Sequence, residues 1–247
     1  MSSTTTVVTA FYRFEKSKHT YGEYLEWIRN FFRYTTSPVV CYCENAAVLR
    51  AFQVHPNVTF VELPFIGSYT LTSPEWVERW SKQHDVDPEK HIHCPELYMV
   101  WALKQEFVSR AIQANHYGST HYVWCDIGCF RSPENFPSGC RFAERTPDIV
   151  QPRKTLILSI DNGTYIGGGI LSGDIESWKT FSKDFMETLE LFHNTGRFYG
   201  KDQDLYRYMI QSKHSNFTLA ESQIWGNGYC SGKTDCKWFY MTRLLSL

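Results

Sequence analysis

From residue 7 to residue 126, short apolar runs alternate with longer segments whose apolar residues recur every three or four positions. Strand-like and helix-like periods taking turns in this way build βαβ units, and therefore a mostly parallel sheet covered by helices. Val7 to Phe14 reads as a first strand. Thr20 then opens a helix, with Glu23 three residues on completing a capping box. Tyr21, Tyr24, Leu25, Ile28, Phe31 and Phe32 give that helix one buried face. Pro38–Cys43 and Val58–Leu63 are further strands, with a short helix over residues 45–52 between them. Ser73-Pro74-Glu75 is a helix start, and Pro95–Asn115 a long helix. His121–Cys125 is an apolar strand that runs directly into Asp126. The second half is mixed. Ile149–Gln151, Leu156–Ile160 and Phe217–Leu219 read as short strands, Tyr165–Gly173 as a glycine-rich extended segment, and residues 175–192 and 200 onward as helices. The expected fold class is α/β, with a Rossmann-like central sheet and a mixed C-terminal half.

A chain of 247 residues suits one domain of this kind, here taken as 1–247 with halves of about 1–131 and 132–247. Lysine and arginine number 25 against 26 acids, so no general attraction to nucleic acid or anionic membrane is expected. With 43% hydrophobic and 21% charged residues, the chain is not of disordered composition. Its apolar runs are far shorter than the ~20 residues that cross a bilayer, so no transmembrane segment is expected. The first residues lack a basic region followed by an apolar one, and the eight cysteines make no Cys-x-x-Cys pair. A cytoplasmic protein with reduced thiols is the expectation.

Three segments carry chemistry. In Trp124-Cys-Asp126-Ile-Gly128 a carboxylate stands at the carboxyl end of an apolar strand, the place where open α/β sheets bind ligands. A hard cation there would take one or two carboxylate oxygens and diphosphate oxygens. Lys201-Asp202-Gln203-Asp204 begins a helix, where acids either cap the first turn or meet a ligand. Gly167-Gly168-Gly169 interrupts an apolar run, so its small size answers to something passing close: a ligand or another chain segment. His91-Ile-His93-Cys94 alternates as zinc ligands can, but further ligands at regular spacing are missing.

The succession Val8-Thr-Ala-Phe-Tyr12, Tyr21–Trp27, Pro38–Tyr42, Pro95–Lys104 and Tyr122–Arg131 resembles the HtrL/YibB-like family, which belongs with the GT-A fold glycosyltransferases. The likeness spans most of residues 7–245. Gly167–Gly173 and Asp202-Gln-Asp-Leu205 also resemble the glycogenin-like transferases over a shorter stretch. Together these imply a GT-A fold and transfer of a sugar from a nucleotide-sugar donor, a UDP-sugar, to a glycan or other hydroxyl acceptor, assisted by Mn²⁺ or Mg²⁺. Asp126 stands at the first position of the family's Asp-x-Asp motif and is the expected metal ligand. Gly128 replaces the second Asp, and the histidine that glycogenin-like enzymes carry near the C-terminus is missing. The resemblance places Thr9, Ala10, Phe11, Arg13, Glu44, Lys104, Gly128, Gly168 and Gly169 beside the donor, and Asp202, Gln203 and Asp204 at the reacting sugar. A lysine on the inward face of a long helix needs an anionic partner, which a diphosphate would supply to Lys104. The missing second Asp keeps open a non-catalytic sugar-nucleotide or glycan-binding protein of the same fold.

Overall fold

The computed structural model describes residues 5–131, 139, 141–144, 146–222 and 235–246. Seven strands form one sheet: β1 (Thr5–Phe11), β2 (Val39–Cys43), β3 (Val58–Glu62), β4 (His121–Cys125), β5 (Thr155–Ile160), β6 (Tyr165–Asp174) and β7 (Phe217–Glu221), in the order β3-β2-β1-β4-β6-β5-β7. β1 pairs in parallel with β2 and β4, and β2 with β3. β6 runs antiparallel to both β4 and β5, and β7 is parallel to β5. The α/β class with a mostly parallel first half and a mixed second half is therefore what the chain forms, and both halves contribute to one sheet.

Helices cover both faces, which is why the parallel strands read as nearly continuous apolar runs. The larger core lies on one face. There Val8, Val40 and Trp124 meet α4 (Pro95–Ala114), with α3 (Pro74–Val86), α5 (Ile175–Asn194) and α6 (Asp202–Ser212) completing the layer. On the other face Val7, Val39, Cys41 and Val123 pack under α1 (Tyr21–Tyr34), α2 (Ala47–Arg50) and the C-terminal α8 (Tyr240–Leu244), which follows α7 (Asp235–Trp238). The capping box at Thr20 is present, with Thr20 Oγ1 accepting from the Glu23 N–H and the Glu23 carboxylate accepting from the Thr20 N–H at 2.8 Å.

One element differs from the sequence expectation. Residues 149–151 are not a strand but a turn region: the Val150 N–H donates to Pro147 O and the Lys154 N–H to Gln151 O. Three residues between two reverse turns have no neighbouring strand to pair with, and alternation alone cannot supply one.

Candidate functional site

The chain connections in the sheet place the site. β1 is followed on one side by β2 and β3 and on the other by β4, so the strand order reverses between β1 and β4. Ligands of open α/β sheets bind outside the carboxyl ends of the strands at such a reversal. Val8 pairs with Trp124, so two residues further along Ala10 and Asp126 stand at the same level, at the carboxyl ends of the two strands. Asp126 opens a short 3-10 turn over Ile127–Cys129.

Asp126 is not isolated there. Its Oδ1 accepts a hydrogen bond from Trp124 Nε1 at 2.7 Å, and Lys104 Nζ from α4 lies 3.2 Å from Oδ1 and 3.3 Å from Oδ2. Lys104 Nζ also donates to Asp202 Oδ2 at 2.8 Å and to Gly168 O at 2.7 Å. The Lys104 side chain is 2% exposed, Asp202 7% and Asp126 34%, so the ammonium is sealed beneath a carboxylate that reaches the surface. The anion that Lys104's burial demands is supplied by the protein. Burial would drive the lysine to give up its proton, but Asp126 and Asp202 outweigh it and hold the ammonium pKa above its usual value. Burial, against the pull of Lys104, leaves the Asp126 carboxyl above its usual range. Burial and then the neighbouring Asp202 and Asp126 push the Tyr206 phenol up as well.

The glycines of β6 allow this meeting. A Cβ on Gly168 would stand 2.6 Å from Asp202 Oδ2 and 3.0 Å from the Tyr206 ring, and one on Gly169 3.1 Å from Cys129 Sγ. A Cβ on Gly167 would meet Leu158 at 2.7 Å. Contacts within the protein thus account for the missing side chains at 167 and 168. The Asp126 N–H donates to Gly169 O at 2.8 Å, tying the end of β4 to β6.

The structure brings together Lys104, Asp126, Gly168, Gly169 and Asp202, with Thr9, Ala10 and Phe11 on the neighbouring strand end. Thr9 is fully buried with its hydroxyl unpartnered among the described residues, and Phe11 is tilted against Tyr24 with 6.0 Å between ring centres. Arg13 lies 4.3 Å over the Tyr21 ring in the loop after β1, and Glu44 is exposed just after β2. Gly128 faces α1: a Cβ there would stand 3.2 Å from the Trp27 ring, so a second aspartate at this position would press on Trp27 and need that ring to give by a few tenths of an ångström. Gln203 is half-buried beside Asp202, whereas Asp204 turns to another face of α6, 3.9 Å from Arg207. Trp124 and Tyr206 are members of the cluster that sequence reading did not single out. Spacing contained both signals, since Trp124 is two along a strand from Asp126 and Tyr206 is one helical turn from Asp202.

A second group is that of Asp87, Glu89 and His93, whose ligand atoms all lie within 4.8 Å of one another and could hold a metal ion. Asp87 Oδ2 accepts from His93 Nδ1 at 2.7 Å and from Tyr98 OH at 2.5 Å, its Oδ1 accepts from the Glu89 N–H at 2.8 Å, and Lys201 pairs with Glu89. Burial would raise the Asp87 carboxyl, but the Tyr98 and His93 hydrogen bonds outweigh it and bring the pKa down to about 2. Those bonds already fill the group, and they anchor the N-cap residue of α6 to the start of α4. The signal for it was Asp87-x-Glu89 ahead of His93.

At Asp126 two carboxylates meet one ammonium, which leaves one net negative charge, and the Oδ2 contact to Lys104 is long. That donor set fits a hard divalent cation drawing one or two oxygens from the protein and the rest from a ligand or water. Among the described residues no helix is long and apolar enough to cross a membrane.

No protein-family model matches the chain, and no curated protein matches it in sequence. Among solved structures, the chain is similar to a glycosyltransferase involved in glycosylation of the major capsid of PBCV-1, with 10% identity over 88% of this chain and 82% of that one and a TM-score of 0.46. It is also similar to Rv0371c from Mycobacterium tuberculosis H37Rv, with 9% identity over 91% of each chain and a TM-score of 0.41.

Proposed function

We propose that the chain is a glycosyltransferase that moves a sugar from a UDP-sugar donor to a hydroxyl of a glycan or related acceptor. The observation that carries this reading is Asp126, a partly exposed carboxylate at the strand-order reversal and backed by a buried Lys104–Asp202 pair. The strand ends of residues 1–131 hold the nucleotide, and residues from the second half present the acceptor. The reading places the protein in the cytoplasm, where its cysteines would stay reduced.

In this reading Ala10 and Phe11 at the end of β1 line the nucleotide, while Thr9, expected beside the donor, is fully buried behind them, and Arg13 swings from Tyr21 to a phosphate. Asp126 holds Mn²⁺ or Mg²⁺, whose positive charge would stabilise the leaving diphosphate. Lys104 fixes the carboxylates of Asp126 and Asp202 in one orientation before substrate arrives, so no reorganisation is needed when charge develops. Asp202, with Oδ2 committed to Lys104, keeps Oδ1 for a sugar hydroxyl, and Gln203 beside it meets the reacting carbon. Asp204 stands back from this centre.

The wall that Trp27 puts against Gly128 favours one second reading, a sugar-nucleotide binder without turnover, because a single carboxylate remains for the metal. The discriminating experiment presents a panel of sugar nucleotides with and without Mn²⁺, following melting temperature and released nucleotide. One UDP-sugar should raise the melting temperature in Mn²⁺ and release UDP slowly, and Asp126→Ala should remove the metal-dependent part. Stabilisation without release supports the binder. No response to any sugar nucleotide, with or without metal, overturns both.

A further inference from the structure

Beyond the Asp126 centre, the outer face of α6 and the end of α5 enclose a cleft of about 340 Å³ that the proposed transfer does not use. Its floor is aromatic: Phe192 near the end of α5 and Tyr208 of α6 meet edge to face, with ring centres 5.3 Å apart. Arg197, in the loop after α5, lies over both rings, its guanidinium carbon 3.8 Å from the Phe192 centroid and 5.2 Å from that of Tyr208. Phe198 adds a third ring to the lining.

The polar groups of this cleft are unevenly matched. The Arg197 guanidinium carbon stands over the rings, and its N–H groups, the part that grips a carboxylate or phosphate in two parallel hydrogen bonds, remain for a ligand. Arg197 is exposed and forms no ion pair with any described residue. Arg207 lines the same cleft. It donates from NH2 to Thr164 O at 3.0 Å and lies 3.9 Å from Asp204, yet its Nε is buried with no partner. The Arg207 side chain is 40% exposed, so its outer N–H groups can meet an anion in the cleft. Two guanidiniums face one carboxylate, so the cleft carries net positive charge within a chain whose overall charge is −1.

We infer that this cleft binds an anionic saccharide, a sugar ring bearing a carboxylate or a phosphate. The oxyanion sits between Arg197 and Arg207, the C–H face of the ring lies on the half-buried rings of Tyr208 and Phe198, and Asp204 accepts hydrogen bonds from ring hydroxyls. The volume of about 340 Å³ has room for one or two sugar units. If the chain is a glycosyltransferase, this subsite selects acceptors carrying an acid group. The binding itself does not require that reading.

The test titrates the full chain with glucuronate, glucose 6-phosphate, inorganic phosphate and glucose by calorimetry or NMR. Glucuronate and glucose 6-phosphate should bind more tightly than glucose by about tenfold or more, the scale of charge-assisted hydrogen bonds. A preference for one of the two charged sugars identifies the carboxylate or the phosphate as the native anion. Arg197→Ala, a change at an exposed loop position, should weaken both about tenfold, with Arg197→Lys intermediate because a point charge lacks the two-pronged grip. Arg207→Gln should weaken them independently. Asp126→Ala should leave these titrations unchanged, which keeps failure here distinct from failure of the donor site. Equal binding of glucose and the charged sugars, unchanged affinity in the folded Arg197→Ala protein, or inorganic phosphate binding as tightly as the sugar phosphate would each overturn the inference. So would an absence of binding by all four probes.

Discussion

Replacing Lys104 by methionine keeps the apolar stem of the side chain and deletes its terminal ammonium. In the parent, Nζ satisfies Asp202 Oδ2 at 2.8 Å and Gly168 O at 2.7 Å and lies 3.2 Å from Asp126 Oδ1, in a side chain only 2% exposed. Without it, Asp202, itself 7% exposed, becomes a buried carboxylate with no cation, and the Gly168 carbonyl loses its partner. Removing one member of a buried ion pair costs about 3–5 kcal/mol, because the surviving charge cannot be rehydrated. That is a large share of the 5–15 kcal/mol that typically holds a domain together. The cost must depend on pH, and its sign is fixed. Losing the ammonium removes the pull that holds the Asp126 carboxyl down against burial, so its folded pKa, already above the usual range, rises further. The variant therefore gains stability as pH falls and protons neutralise the stranded charge, and its deficit against the parent narrows. Urea unfolding of both proteins at pH 8 and pH 5 measures this. The deficit should be about 3–5 kcal/mol at pH 8, clearly smaller at pH 5, and at least halved in the double variant Lys104→Met/Asp202→Asn. A deficit under about 1 kcal/mol at pH 8, or one indifferent to both pH and Asp202→Asn, would show that the lysine is not the counter-ion of this cluster.

Asp87, brought down to about 2 from an ordinary 3.8, contributes about 2 kcal/mol to folding that is fully present above pH ~4 and lost as pH falls toward 2. The stability gap between the parent and Asp87→Asn in urea should close over that interval, and a gap of constant size would refute the hydrogen-bonded knot. Gly168→Ala should cost about 1–3 kcal/mol through overpacking against Asp202 and Tyr206. Gly167→Ala strikes the buried Leu158 side chain and not Asp202, so it should cost similar stability while sparing sugar-nucleotide turnover, which Gly168→Ala should depress. Equal turnover in the two would detach Asp202 from the proposed chemistry. Thiol titration of freshly unfolded protein should find all eight cysteines reactive, and two or more intact disulfides would refute the proposed reducing compartment.

Local signals made most of the fold legible. Thr20 with Glu23, Pro74 after Ser73, and Pro95 at the head of a long helix each announced an element that forms within two residues of its reading. The run His121–Cys125 placed Asp126 at a strand end because an ionised carboxylate is costly in the buried middle of a parallel sheet. What the sequence could not carry was partnership at long range. Lys104 and Asp202 are 98 residues apart, and nothing in either segment names the other. Burial of Lys104 could be anticipated from its helical face, but the anion answering it was expected from a diphosphate and comes from Asp126 and Asp202. Residues 149–151 show the same limit for structure, since a three-residue alternation becomes a strand only when another strand lies beside it. Asp87, Glu89 and His93 were readable only in part, because the histidine drew notice without the acids that precede it.

The glycine run and the aspartate helix, which look like separate signals along the chain, are one device in three dimensions. β6 must lie antiparallel against β4 to close the sheet beside Asp126, and α6 must cross β6 to deliver Asp202 to Lys104. Any side chain on Gly168 would fill the space where Asp202 Oδ2 meets the ammonium, since its first carbon would stand 2.6 Å from that oxygen. The same residue's carbonyl is the third acceptor of Nζ, so its backbone must approach the cluster closely as well. Asp202 could cap α6 without any of this: a capping acid needs only the N–H groups of its own helix. A buried lysine, a bare strand and an acid turned away from solvent are more than capping requires. They are costly features that local stability does not explain, and such features gather where a fold holds charge in place for a ligand.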